Sequence, residues 1–113
     1  VRIIRAPFEE AGTRISITPD DAVVIMTRGH QGDFVVLEQM LRTQAGYIGV
    51  IGSRHKIAAT NRRLMEAGIP EAALGRIHTP IGLDIGAETP AEIAISIAAE
   101  LIAHRAQSLK EAL

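Results

Sequence analysis

The sequence contains no cysteine, and only 3% of its residues are aromatic. The lack of cysteine excludes disulfide bonds, thiolate zinc sites and a cysteine nucleophile, and it fits a cytoplasmic location. Few aromatic side chains argue against a surface on which bases stack, and a net charge of −1 provides no basic field for nucleic acid. No apolar run approaches the roughly 20 residues of a membrane span, and the first residues do not resemble a signal peptide.

The sequence does contain enough apolar residues for a packed core, since 47% of its 113 residues are hydrophobic. We interpret residues 1–113 as one modest, partial domain. The chain begins with Val rather than Met, which indicates a processed or truncated piece of a longer protein.

Short β-branched segments alternate with segments of helical periodicity. We predict strands at Ala22–Thr27, Tyr47–Ile51 and Ile77–Thr79, and a further short strand at Arg2–Ile4. Helices are predicted at Pro7–Thr13, Asp33–Thr43, Arg54–Ala67, Pro70–Leu74 and from Pro90 to about His104. Such alternation indicates an α/β fold with a parallel sheet and right-handed crossovers.

The transition from strand to helix around Gly52 is the most informative stretch. Gly52 permits a turn, Ser53 is a good N-cap, and Arg54 and Lys56 place cations at the helix start. Positive charge is unfavourable there because the helix dipole is positive at the same end, so a bound anion such as phosphate would compensate. The alternative is an ordinary helix cap with solvated basic residues.

Other candidate residues follow the predicted strands. Ligands bind beyond the carboxyl ends of parallel strands, so we expect the loops at 27–32, 52–56 and 78–86 to converge. Thr27 offers a hydroxyl, His30 can titrate near neutral pH, and His78 lies at the end of a predicted strand. Asp84 could accept a hydrogen bond from a ligand hydroxyl or amine, or it could pair with Arg54. The alternatives are a surface role for His30 and an Asx-turn for Asp84.

Asp33 is interpreted first as the N-cap of its helix. The spacings of His30, His78 and a nearby aspartate match no known metal-ligand pattern, and Ser53 lies in no nucleophile elbow. Neither a G-x-G-x-x-G fingerprint nor a Walker A loop is present. We therefore predict neither a metal site nor catalytic residues, and the residues alone indicate an α/β domain with an anion-binding rim.

Three segments carry a family resemblance: VIMTRGH at 24–30, YIGVIGSRHK at 47–56 and IHTPIGLDIGAETPAEIA at 77–94. In this order they resemble the C-terminal half of the xanthine dehydrogenase accessory protein family (XdhC/CoxI type). The similarity extends from Ala22 to about Arg105.

The resemblance implies a Rossmann-like three-layer domain and a carrier role rather than catalysis. Such proteins bind the molybdenum cofactor (molybdopterin), hold it while a cysteine desulfurase installs its terminal sulfur, and help insert it into xanthine dehydrogenase-type enzymes. We expect the cofactor to contact residues of the three loops that follow the strands: Thr27, His30, Gly52, Ser53, Arg54, Lys56, His78 and Asp84. Its phosphate would lie at Ser53, with Arg54 and Lys56 as counter-charges.

The family's first βαβ unit with its Gly-rich turn is missing, as is an N-terminal cysteine motif. The Rossmann sheet is therefore expected to be incomplete, with a bare apolar edge at Ala22–Thr27 that a second copy or the missing half covers. Two other functions stay open: a fragment of an NAD(P)- or flavin-nucleotide-dependent oxidoreductase, and a non-catalytic dimerisation domain.

Overall fold

A computed structural model describes residues 1–52 and 54–112, and the side chains of all of these except residues 30 and 54–56. A 3₁₀ turn at Phe8–Glu10 precedes the first α-helix. The helices are α1 (Ala11–Arg14), α2 (His30–Met40), α3 (Arg54–Glu66), α4 (Glu71–Leu74) and α5 (Pro90–Ala112). The strands are β1 (Ala22–Ile25), β2 (Tyr47–Val50) and β3 (Ile77–His78).

The three strands form a parallel sheet in the order β1-β2-β3, which confirms the predicted fold class. All four residues of the central strand β2 are buried. Side chains of a strand alternate between the two faces of a sheet, so Ile48 and Val50 share one face and Tyr47 lies on the other. Burial on both faces explains why this strand is a continuous apolar run.

Each face of the sheet has its own core. Ile48 and Val50 pack in a cluster with Leu37 of α2 and Leu64 of α3, which is fully buried. On the other face Tyr47 packs with Ile81, Ile97 of α5 and neighbouring partly buried side chains. The result is a three-layer arrangement with α2 and α3 on one side and α5 on the other.

The predicted strand at Arg2–Ile4 is wrong. Residues 1–7 have no regular secondary structure and are exposed, with Ile3 84% accessible. Two arginines flank only a short apolar stretch, and among the described residues no strand pairs with it. Without a pairing partner, a strand cannot satisfy its backbone hydrogen bonds.

The predicted start of α2 is also wrong, because the helix begins at His30 and has Gly29 as its N-cap. Asp33 is therefore inside the helix, in its first turn. Its carboxylate accepts hydrogen bonds from the Thr27 hydroxyl at 2.6 Å and from the Thr27 N–H at 3.3 Å. A side chain at Gly32 would meet Thr27 and Phe8, so glycine allows this close contact.

Helix α5 is longer than predicted and continues beyond His104 to Ala112. Its start is the predicted capping box: Thr89 Oγ1 accepts from the Glu92 N–H, and the Glu92 carboxylate accepts from the Thr89 N–H. Neither α5 nor any other helix in the described ranges is long and apolar enough to cross a membrane.

Strand β1 lies at an edge of the sheet, and within the described residues it pairs only with β2. Val24 and Met26 are 38% and 54% exposed, and a groove of about 500 Å³ runs along the strand. The apolar edge predicted from the sequence is therefore present.

Candidate functional site

A cavity of about 400 Å³ lies beyond the carboxyl end of β2. Ile51 and Gly52 form one side of it, and residues 80–86, which we call the rim loop, form another. Ile93 and Ser96 of α5 contribute further lining. We call this space the rim cavity; its volume falls within the range of about 300–1,000 Å³ that is usual for small-molecule sites.

The rim loop is held against α5 by its backbone. The Gly82 N–H donates to the Glu100 carboxylate at 2.6 Å, and the Leu83 N–H donates to the Ser96 carbonyl at 3.1 Å. Gly82 has a φ of 96°, and a Cβ there would clash with Ser96 Oγ. Glycine is therefore required for this close approach of the loop to the helix.

The first turn of α3 adjoins the rim cavity, because Gly52 lines the cavity and the helix begins at Arg54. The backbone N–H groups of a first helical turn lack intrahelical partners and attract anions. Ser53 and the side chains of Arg54 and Lys56, which we predicted to contact a ligand, lie outside the described residues. The described backbone nevertheless places a helix amino terminus beside the cavity.

Asp84 lies in the rim loop, lines the rim cavity and is exposed. Within the described part of the chain its carboxylate accepts no hydrogen bond, so the Asx-turn that we considered as an alternative is not formed. The carboxylate is free to accept hydrogen bonds from a ligand.

Thr27 lines a different cavity, of about 680 Å³, together with Gly29, Arg63 and Phe8. Its hydroxyl is already engaged with Asp33. The side chain of His30, which we placed with Thr27, is outside the described residues. The structure therefore brings Gly52 and Asp84 together, whereas Thr27 lines the second cavity.

His78 is not among the residues lining the rim cavity. His78, the last residue of β3, pairs with Gly49 of β2. Gly49 lies on the same face of the sheet as Tyr47, so the His78 ring points toward α5. There it stacks on Tyr47 with ring centroids 4.5 Å apart. His104 meets both rings edge-on at 5.4 Å and contacts the Gly46 carbonyl through Nε2 at 2.7 Å.

Glu100 joins this aromatic cluster of Tyr47, His78 and His104. Its Oε2 accepts from the Tyr47 hydroxyl at 2.7 Å, and its Oε1 lies 3.8 Å from His78 Nδ1. Burial raises the pKa of Tyr47 above its ordinary value, and the hydrogen bond to Glu100 and the negative charge of Glu100 raise it further. The phenol is therefore a permanently neutral donor at physiological pH.

Two important residues were missed in the sequence. Glu100 looked like an ordinary helical carboxylate, and only its place one turn after Ile97, on the inward side of α5, could have indicated an internal role. Arg76 donates to the carbonyls of Leu41, Thr43 and Ala45 at 2.9–3.2 Å and so holds the end of α2. No sequence signal distinguishes this arginine from a surface cation. Among the described residues, no cluster of His, Asp and Glu could hold a metal ion.

A parallel sheet between helical layers defines a Rossmann-like domain, and the cavity beyond its strand ends is a candidate ligand site. The family model of the XdhC Rossmann domain matches residues 3–101. The chain therefore belongs to the XdhC Rossmann domain family.

Two curated proteins are similar to most of this chain. The chain is 38% identical over 95 residues to YqeB, an uncharacterized protein of Escherichia coli K12, covering 84% of the chain and 17% of YqeB. It is 33% identical over 104 residues to a probable xanthine dehydrogenase subunit of Bacillus subtilis, covering 92% of the chain and 29% of that protein. The chain thus spans less than a third of either curated relative.

A solved structure shares the fold. The crystal structure of a xanthine dehydrogenase from Bacillus halodurans is 36% identical and superimposes with a TM-score of 0.70. The similarity covers 91% of the chain and 29% of that structure.

Proposed function

We propose that this chain is the cofactor-binding part of a maturation factor for xanthine dehydrogenase-type molybdenum hydroxylases. It would hold the molybdenum cofactor while a cysteine desulfurase installs the terminal sulfur, and then deliver it to the enzyme. Membership of the XdhC family is the observation that carries the proposal. The Bacillus subtilis relative, a probable xanthine dehydrogenase subunit, supports the same physiological context.

The rim cavity fits the chemistry of this cofactor. A pterin ring is flat and largely apolar on its faces, and Ile51, Ile81 and Ile93 line the cavity. The ring edge carries N–H donors, for which the exposed carboxylate of Asp84 is an acceptor.

The cofactor's phosphate or pyrophosphate would lie at the first turn of α3. Unpaired backbone N–H groups and the helix dipole favour an anion there. Ser53 would contribute its hydroxyl, and Arg54 and Lys56 would neutralise the charge. When bound, the cofactor supplies the molybdenum centre; the residues of this chain bind and orient it.

The sulfur-donating desulfurase and the recipient molybdoenzyme are the proposed partners. We also propose that the edge of β1 is covered, either by a second copy of this chain or by a region of the kind that the longer relatives have in addition. The exposure of Val24 and Met26 supports this assignment. A clean monomer in sedimentation at high concentration would contradict self-association.

An oxidoreductase role has less support, because the sequence has no G-x-G-x-x-G turn for a dinucleotide. Turnover of a reduced nicotinamide or flavin nucleotide by the purified chain would favour it over the carrier role. If the chain is only a dimerisation domain, the purified protein should retain no ligand.

The test is retention of cofactor released from a purified molybdenum hydroxylase. The double variant Arg54→Ala/Lys56→Ala should retain at least about tenfold less cofactor, because charge-assisted contacts to phosphate are strong. The matched control is Arg62→Ala/Lys110→Ala, which removes the same charge from exposed positions outside the rim-cavity lining. Unchanged retention by the first variant would refute the proposed site.

A further inference from the structure

The carboxylate of Glu100 connects α5 to β2 and to the rim loop. One of its oxygens, Oε2, accepts both the Tyr47 hydroxyl and the Gly82 N–H, at 2.7 and 2.6 Å. The Glu100 side chain is only 18% exposed. Hydrogen bonds to a shielded charge are about twice as strong as neutral ones, so this oxygen is a firm attachment point.

The attachment acts on the rim loop. Gly82 is part of that loop and lines the rim cavity together with Leu83 and Asp84. Glu100 itself does not line the cavity and approaches the loop from the side of α5. The hydrogen bond at Gly82 therefore ties the cavity wall to α5, and the Glu100 side chain does not occupy the cavity.

Tyr47, the other donor to this carboxylate oxygen, is itself held in place. Tyr47 extends along β2 over Gly49, where a Cβ would lie 2.6 Å from the Tyr47 hydroxyl oxygen. His78 stacks on the Tyr47 ring and lies 3.8 Å from Glu100 Oε1. The phenol is thus held between the sheet and α5, and it orients the carboxylate toward the loop.

We propose that Glu100 is a positioning residue that holds the rim loop in the shape that accepts the ligand. The identity of that ligand rests on the proposed function, whereas the positioning of the loop does not. Glu100 orients the backbone at Gly82 and, two residues later, the carboxylate of Asp84.

Amide hydrogen exchange of the full chain tests the positioning directly. In Glu100→Ala the Gly82 amide loses its acceptor, so its exchange should accelerate about ten- to a hundredfold. Glu100→Gln keeps an oxygen that can accept from both donors, and exchange at Gly82 should return to within about threefold of the wild-type rate. The amides of β2 should change much less than that of Gly82.

Two control variants separate this effect from general destabilisation. Glu111→Ala removes another α5 carboxylate, which within the described residues accepts a hydrogen bond from Gln107 and is far from the rim loop in the chain, and it should leave Gly82 exchange unchanged. Thr89→Ala weakens the cap of α5 without touching Glu100 and should not single out Gly82. Unchanged exchange at Gly82 in Glu100→Ala, or equal acceleration throughout β2, would overturn the proposal.

Cofactor retention tests the consequence for binding. With cofactor released from a molybdenum hydroxylase as the probe, Glu100→Ala should retain about tenfold less and Glu100→Gln nearly as much as wild type. Equal retention by Glu100→Ala and wild type would also overturn the proposal. Should wild type retain no cofactor, the proposed function fails, and the exchange rates at Gly82 alone decide whether Glu100 positions the loop.

Discussion

The imidazole of His78 stacks on the phenol ring of Tyr47, with centroids 4.5 Å apart and an interplanar angle of 17°. This contact joins β3 to β2 on the face of the sheet that α5 covers. Glu100 accepts the Tyr47 hydroxyl at the same place and also binds the rim loop through Gly82. The aromatic cluster is therefore continuous with the wall of the candidate binding cavity.

Alkaline stability should depend on Tyr47. Because burial and Glu100 raise its pKa, the unfolded chain loses the phenolic proton above about pH 10 while the folded chain keeps it. The contribution is complete below that pH, and the free energy of unfolding falls as pH rises further. Tyr47→Phe should show a flatter alkaline decline in urea unfolding and lose about 1–2 kcal/mol at neutral pH.

Tyr47 is the single tyrosine of the sequence, so tyrosinate absorbance provides an internal check. The folded protein should titrate at higher pH than the protein in denaturant. Titration at the same pH in both states would contradict the predicted coupling.

Arg76 should be important for stability rather than for binding. Its guanidinium donates to the carbonyls of Leu41, Thr43 and Ala45, where α2 ends and the chain turns into β2. Arg76→Met should lower the free energy of unfolding by about 2–3 kcal/mol, since three partly buried carbonyls lose a charged donor. Chemical denaturation measures this loss, with the exposed Arg62→Met as the control that should change by less than about 0.5 kcal/mol.

Two glycines of the rim loop form a matched pair. Gly82 and Gly86 both have positive φ values, of 96° and 74°, but only at Gly82 would a Cβ meet neighbouring atoms. Gly86→Ala should cost about 1–2 kcal/mol from the left-handed backbone alone. Gly82→Ala should cost about 1–2 kcal/mol more because it also clashes with Ser96. Equal costs in thermal or urea unfolding would show that the loop does not pack on α5 as described.

The capping box of α5 should make helix stability sensitive to acid. Hydrogen bonds from the backbone N–H groups of Glu88 and Thr89 lower the pKa of Glu92. The stabilisation is present above the ordinary carboxyl pKa and is lost as pH falls through the lowered one. Glu92→Gln should therefore show less loss of stability on acidification than wild type, as followed by circular dichroism.

Thr89 tests the other half of the same box. Thr89→Ala removes the acceptor for the Glu92 N–H and should cost about 1 kcal/mol at neutral pH. Thr89→Ser keeps the hydroxyl and should behave like wild type. Equal stability of all three proteins would indicate that the start of α5 is held by packing rather than by its cap.

Much of the fold is visible in the sequence because its signals are local. The apolar stretches around Val24, Ile48 and Ile77, and the cap at Thr89, depend on near neighbours in the chain. The start of α2 was mispredicted because Asp33 resembles an N-cap, whereas its carboxylate bonds to Thr27 across the preceding loop. A cap and a loop contact use the same side chain, and sequence alone does not separate them.

For the site, the sequence by itself determined that Gly52 and Asp84 follow strands and that α3 begins beside them, since parallel strands present their carboxyl ends at one edge. Only the tertiary structure decided that Thr27 lines another cavity and that His78 faces α5. It also decided that Glu100, far from Tyr47 and Gly82 in the chain, binds both. The physical reason is that strand order and crossovers are encoded in local periodicity, whereas contacts between distant side chains arise only when α5 packs across the sheet.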